Sequence, residues 1–101
     1  MKDWTFFTNH TLALVCIAHE PGVRLRDIAT TLNITERSAF GIISELAAAG
    51  YVVKDKDGRR NRYQIQSDAP VKMPIGRSPT MGEMLEILVD GELTARTGVL
   101  T

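Results

Sequence analysis

Residues 24–65 read RLRDIATTLNITERSAFGIISELAAAGYVVKDKDGRRNRYQI, and their hydrophobic period changes once, at Gly50. Before that glycine, apolar residues recur every three or four positions, the period of a helix that buries one face. The pattern breaks at Asn33 and resumes after Thr35, whose hydroxyl is a good N-terminal cap. Gly50 is typical of a left-handed C-terminal cap. The pattern therefore predicts two short helices joined by a tight turn, the second occupying residues 35–50.

The residues after Gly50 predict a β-hairpin. They are aromatic, β-branched and alternating, as in half-buried strands, and Asp57-Gly58 is a strong hairpin-turn signal between them. Positive side chains cluster toward the tip: Lys54, Lys56, Arg59, Arg60 and Arg62. A tip of this composition is suited to lie along a phosphate backbone. A further short strand, Val23 to Leu25, is expected to pair with the hairpin.

Three motifs occur here in a fixed order: DIATTLNIT over residues 27–35, LAAAGY over 46–51 and DGRRNRY over 57–63. In this order and spacing they resemble the winged helix-turn-helix domain of MarR-like bacterial and archaeal transcriptional regulators. The resemblance covers residues 8–65. It implies an α+β, mainly helical fold with a three-helix core and a β-hairpin wing, and a function in transcription regulation.

A first helix is predicted ahead of this motif. Thr8 is expected to cap it and the Pro-Gly pair at 21–22 to end it. The helix is apolar nearly all round, which indicates burial on more than one side. Trp4, Phe6 and Phe7 precede it. They either cover a face shared with another chain or close the core of the monomer, and the sequence leaves both interpretations open.

A connector and a short C-terminal helix follow the hairpin. Prolines keep residues 68–79 extended, and Thr80 and Glu83 form a capping box before an apolar stripe that ends near Gly91. So short a helix needs a packing partner. It either packs back on the first helix or joins two protomers, and the second interpretation predicts a two-fold homodimer. The residues expected at the dimer interface are Trp4, Phe6, Phe7, Met81, Met84, Leu85 and Leu88.

Length and charge limit the class of protein. The 101 residues, 44% of them hydrophobic, predict a winged-helix DNA-binding unit over 1–67, the connector over 68–79, and the C-terminal helix with a tail over 80–101. Formal net charge is zero, but residues 21–79 carry ten Lys or Arg against six Asp or Glu. This segregation permits phosphate contact. Few phosphates are neutralised per chain, so useful affinity needs two modules.

The expected partner is double-stranded DNA, with helix 35–50 in the major groove and the wing on the flanking backbone or minor groove. The predicted DNA-binding residues are Arg24, Arg26, Thr35, Arg37, Ser38, Phe40, Gly41, Ser44, Arg59, Arg60, Asn61 and Arg62. Phe40 and Gly41 occupy positions where relatives usually carry polar or basic readers. The alternative hypothesis is therefore a protein–protein interaction module that kept the scaffold and lost base reading.

No catalytic or metal-binding motif accompanies these features, and the chain is expected to be neither an enzyme nor a cofactor protein. His10 and His19 lie too far apart to share a metal. Cys16 is expected to be a packing residue. No apolar run reaches the length of a membrane span and no signal peptide is recognised, so a cytoplasmic location is predicted. A small-molecule effector pocket between the first and C-terminal helices is a further, weaker possibility.

Overall fold

A computed structural model describes residues 6–58 and 60–89 of the chain, with the backbone alone given at positions 57 and 60. The fold is α+β. It contains four helices and one two-stranded antiparallel hairpin in these ranges. The elements are α1 (Asn9–His19), α2 (Leu25–Leu32), α3 (Glu36–Ala48), β1 (Val52–Asp57), β2 (Arg60–Ile65) and α4 (Met81–Val89). The predictions made for Trp4, Arg59 and the tail from position 90 lie outside the described residues.

One hydrophobic core joins all six elements. Ile17 of α1 and Ile28 of α2 are almost completely buried at its centre. The other buried members are Ala13, Leu14, Val23, Ala29, Ala39, Ile43, Leu46, Val52, Tyr63, Met81 and Leu85. The helical periodicity of the sequence is therefore confirmed, because the helix residues that it predicted to be buried face the core.

The turn between α2 and α3 spans residues 33–35. Asn33 has the left-handed backbone conformation, with φ 58°, and the amide of Ile34 donates to the carbonyl of Ala29 at 2.9 Å. Thr35 accepts from the amide of Ser38 at 3.0 Å. These bonds satisfy groups that helix ends leave unpaired. They fix the direction in which α3 leaves α2, and they confirm the predicted cap.

Gly50 ends α3 as predicted. Its φ of 87° is a conformation that only glycine adopts without strain. The amide of Gly50 donates to Ala47 and that of Tyr51 donates to Leu46, both at 3.0 Å, the bond pair of a Schellman motif. This turn delivers the chain into β1.

The hairpin differs from expectation in two ways. First, Asp57 was predicted to lie in the turn, but it pairs directly with Arg60 and is the last residue of β1. The segment 23–25 is not a third strand: the amide of Val23 donates to Glu20 in a local turn at 2.9 Å, and α2 already starts at Leu25. That amide is therefore not available for a sheet ladder. The contact on this side of the hairpin is a 3.3 Å bond from the amide of Tyr63 to the carbonyl of Pro21.

The predicted capping box of α4 is confirmed. Thr80 Oγ1 accepts from the amide of Glu83 at 3.1 Å, and a Glu83 carboxylate oxygen accepts from the amide of Thr80 at 2.9 Å. The next two helix amides, those of Met81 and Gly82, donate to Ala69 and Ser67 at 2.8 and 2.9 Å. A Cβ at Gly82 would lie 3.2 Å from that of Ser67, so glycine permits this close approach.

The inner face of α4 packs against α1 of its own chain. Met81 and Leu85 are only 2% and 5% exposed and belong to the same core as Leu14 and Ile17. Of the two interpretations left open by the sequence, back-packing therefore describes these two residues. In the described part of the chain, no helix has the length and apolar content needed to cross a membrane.

Candidate nucleic-acid interface

The outward face of α3 carries the residues predicted to read DNA. Arg37, Phe40 and Ser44 are all exposed, and their spacing of three and four places them on one side of the helix. The opposite side is held in the core by Ala39 and Ile43, among others. The helix therefore presents its outer side to solvent while its inner side is fixed.

One predicted contact residue, Thr35, also caps the helix, and a second, Ser38, is bonded to it. Thr35 Oγ1 accepts from the amide of Ser38 and lies 3.0 Å from Ser38 Oγ, to which it donates. The hydroxyl of Thr35 is thus already engaged both as a hydrogen-bond acceptor and as a donor. Ser38 keeps its own hydroxyl hydrogen for an outside acceptor, and is the better candidate for a phosphate contact.

Phe40 and Gly41 leave the middle of this face without a polar or charged side chain. The Phe40 side chain is 57% exposed, and in the described part of the chain no atom outside the adjoining residues and nearby backbone of α3 lies within 4 Å of where a Gly41 Cβ would stand. No backbone of the described chain therefore requires glycine at this position. The space in front of Gly41 is open to a partner from outside.

Replacing Gly41 with alanine is expected to stabilise the fold by about 1 kcal/mol, because alanine has the higher helix propensity and meets no clash. Thermal unfolding should show a rise of about 4–8 °C in Tm. If the same variant binds DNA or a protein partner more weakly, the partner approaches the helix closely here. An unchanged or lower Tm would contradict the open geometry.

Arg24 and Arg26 lie at the start of α2 and are both exposed. Arg24 is the N-cap residue but makes no side-chain capping bond. Asp27 supplies the acidic residue in the first turn, where a negative charge favours the helix dipole. The two arginines are thus exposed at the N-terminal end of α2, the end away from the turn that leads to α3.

The register of the hairpin separates its charges into two groups. Asp55 stands opposite Arg62, whereas Lys54 stands opposite Tyr63 and Lys56 opposite Asn61. Opposite charges across a strand pair attract and partly compensate one another. In the described hairpin the two lysines are therefore the cations with no acidic residue opposite them. The predicted contact residues omitted both, although the sequence already placed them in the positive cluster toward the tip.

Tyr63 anchors the base of the hairpin. Its side chain is buried, and burial raises the pKa of its phenol, an effect that a hydrogen bond with Asn61 partly offsets. Asn61, a predicted contact, is exposed near the tip. Its side-chain amide is engaged with the Tyr63 phenol of the same strand.

A contact between α1 and α3 was not predicted. His10 Nε2 lies within hydrogen-bonding distance of Glu45 Oε1, and both side chains remain partly exposed. A carboxylate on the outward face of α3 would repel phosphate. Because the Glu45 carboxylate is held by His10, it sits at the flank nearest α1. Thirty-five residues separate the pair, so no local sequence pattern reveals it.

Other chemistry is limited in this region. Burial raises the pKa of the half-buried Cys16 thiol, which lowers its thiolate fraction and reactivity at neutral pH. In the ranges 6–58 and 60–89, no group of three His, Cys, Asp or Glu side chains is placed to hold a metal ion. An open groove of about 600 Å³ lies between the end of α1, the hairpin and α4, in the region where the sequence suggests an effector pocket.

No protein-family model matches this chain, and no significant match was found among curated proteins.

Proposed function

We propose that this chain is a DNA-binding transcriptional regulator of the MarR-like winged-helix type, acting in the cytoplasm as a homodimer. The observation that carries the proposal is the outward face of α3, a capped helix held across a three-residue turn from α2, with Arg37 and Ser44 exposed on it. A helix so mounted fits the major groove, where its N-terminal residues reach base edges.

The hairpin supplies the second contact. Exposed Lys54 and Lys56 have no acidic residue opposite them, and the DGRRNRY motif adds Arg59 and Arg60 at its tip. These cations would neutralise phosphates beside the major-groove site, or enter the minor groove. Phosphate contacts give affinity without sequence preference, and α3 gives the preference.

The first experiment is a fluorescence anisotropy titration of the full chain against genomic duplex fragments at low and moderate salt, with sequencing of the enriched fragments. We expect affinity that falls steeply with salt and enrichment of a palindrome. Replacing Lys54 and Lys56 together with alanine should weaken binding to all sequences and reduce the log–log salt slope of the dimer by about 4, because two lysines are lost from each of the two protomers.

The matched control keeps the charge: Lys54→Arg with Lys56→Arg should retain the affinity and the salt slope, because a phosphate accepts either cation. An alanine variant that binds as tightly as the parent chain, with the same slope, would remove the hairpin from the proposal. Absence of any binding at low salt would remove DNA as the partner.

The second candidate is a protein–protein interaction module on the same scaffold, and Phe40 favours it. An exposed phenylalanine beside an open glycine forms an apolar surface of a kind that aromatic-rich protein interfaces use. Phe40→Ala separates the two functions. Loss of a protein partner with DNA binding intact supports the second candidate, whereas weaker binding to a thymine-containing site supports contact with a thymine methyl.

A further inference from the structure

The groove beside α4 is apolar at its base. Ile17 of α1, Tyr63 of β2 and Leu85 of α4 contribute to its lining, as do Ser67 and Gly82. We call it the α4 groove. A volume of about 600 Å³ is large enough to receive several side chains.

Two carboxylates stand on the walls of the α4 groove. Asp55 is on the hairpin and Glu86 on α4, and both are exposed. Within residues 6–58 and 60–89, neither side chain makes an ion pair or a hydrogen bond. Arg62 also lines the groove and already has an interaction partner. With Asp55 facing Arg62 across the strands, Glu86 supplies the negative charge that Arg62 does not offset, so the groove favours an apolar occupant that carries a positive charge.

The connector supplies a segment of that composition. Its ends are closed by the bridge between Pro70 and Thr80 and by a 2.8 Å bond from the amide of Val71 to the carbonyl of Pro79. Between them lies a segment that we call the loop tip, residues 72–77, with the sequence KMPIGR. A loop closed at its base loses little further entropy when its tip binds.

The loop tip exposes its apolar residues. Ile75 is 80% and Met73 is 47% exposed, and Lys72 and Arg77 flank them. Arg77 makes a partly exposed ion pair with Glu83 at 3.5 Å, which fixes one side of the tip to α4. Arg77 is already paired with Glu83, so the tip offers the groove two exposed apolar side chains and the positive charge of Lys72.

We propose that the loop tip of one copy occupies the α4 groove of a second copy, and the reverse, in a two-fold dimer. Tip and groove adjoin the same helix start, because the loop closes at Thr80 and Gly82 lines the groove. The exchange is isologous, as a two-fold interface requires. It also supplies a dimer surface that does not need Met81, which the core of each chain already buries.

This inference rests on the homodimer of the proposed function, but not on DNA binding. Sedimentation of the full chain over a concentration series measures the dimer constant directly. Ile75→Asp places a charge in the apolar groove at two symmetric sites. If each of the two sites loses about tenfold in affinity, the Kd of the dimer rises about 100-fold.

Phe40→Asp is the matched control, since it also adds a charge at an exposed apolar residue but lies on α3. We expect its dimer constant to equal that of the parent chain. A parent chain that is monomeric at every concentration overturns the proposal and leaves the α4 groove for a small molecule. Dissociation by Phe40→Asp but not by Ile75→Asp also overturns it.

A charge exchange tests the contact itself. Lys72→Glu should weaken the dimer about tenfold through repulsion by the groove carboxylates, and adding Glu86→Lys or Asp55→Lys should restore it. Failure of both second changes to restore the dimer contradicts the proposed pairing. Low-salt binding to random duplex should persist in Ile75→Asp, so loss of the dimer is distinguishable from failure of the DNA proposal.

Discussion

Replacing Leu85 with alanine is expected to lower the free energy of unfolding by about 2–5 kcal/mol. Leu85 is 5% exposed and lies in the core shared with α1, so its truncation leaves a cavity between two elements that cannot close without moving α4. A domain of this size is stable by about 5–15 kcal/mol in total. The decrease in the free energy of unfolding should be measured by denaturant unfolding monitored by circular dichroism.

Ile87 provides the control on the same helix, because its side chain is 74% exposed. Ile87→Ala should change the free energy by no more than about 0.5 kcal/mol. Both measurements are repeated at widely separated protein concentrations. A Leu85→Ala loss that vanishes on dilution would assign this residue to an interface between copies rather than to the core of the monomer.

Replacing Arg37 with alanine is expected to reduce affinity for the selected DNA by about 5–150-fold at each half-site of the palindrome, the equivalent of about 1–3 kcal/mol per protomer. Arg37 is exposed in the first turn of α3, the part of such a helix that meets base edges, and its guanidinium can donate two parallel bonds to guanine. Binding to unrelated duplex should fall much less. Competition titrations with both duplexes measure the ratio.

Arg37→Lys tests whether the fork geometry matters rather than the charge. Lysine keeps the positive charge but cannot reproduce the rigid pair of donors, so the preference for the selected site should fall while the salt slope stays. If alanine and lysine variants both keep the full preference, α3 does not read bases through this residue. Phe40 then becomes the next residue to replace.

The local parts of the fold could be predicted from the sequence because each depends on neighbours in the chain. Thr8 and Thr35 accept from amides three residues ahead, and Thr80 and Glu83 cap each other. Gly50 takes the left-handed conformation at the end of α3. Capping groups and hydrophobic periods act within one or two turns, so one sequence suffices to locate them.

The candidate site could be predicted only in part. The exposed α3 face at Arg37 and Ser44 followed from helical periodicity. The division of hairpin charge depends on which residue stands opposite Lys54 and Lys56, and register is fixed by the turn. The expected strand at 23–25 failed because a local turn bond at Val23 competed with sheet pairing.

The sequence by itself determined the helices, their caps, the hairpin and the faces that turn inward. Only the tertiary structure decided that α4 packs on α1, that His10 meets Glu45, and that an apolar groove with two carboxylates opens beside α4. These contacts join residues far apart in the chain. Their geometry depends on how whole elements pack, which periodicity along the sequence does not encode.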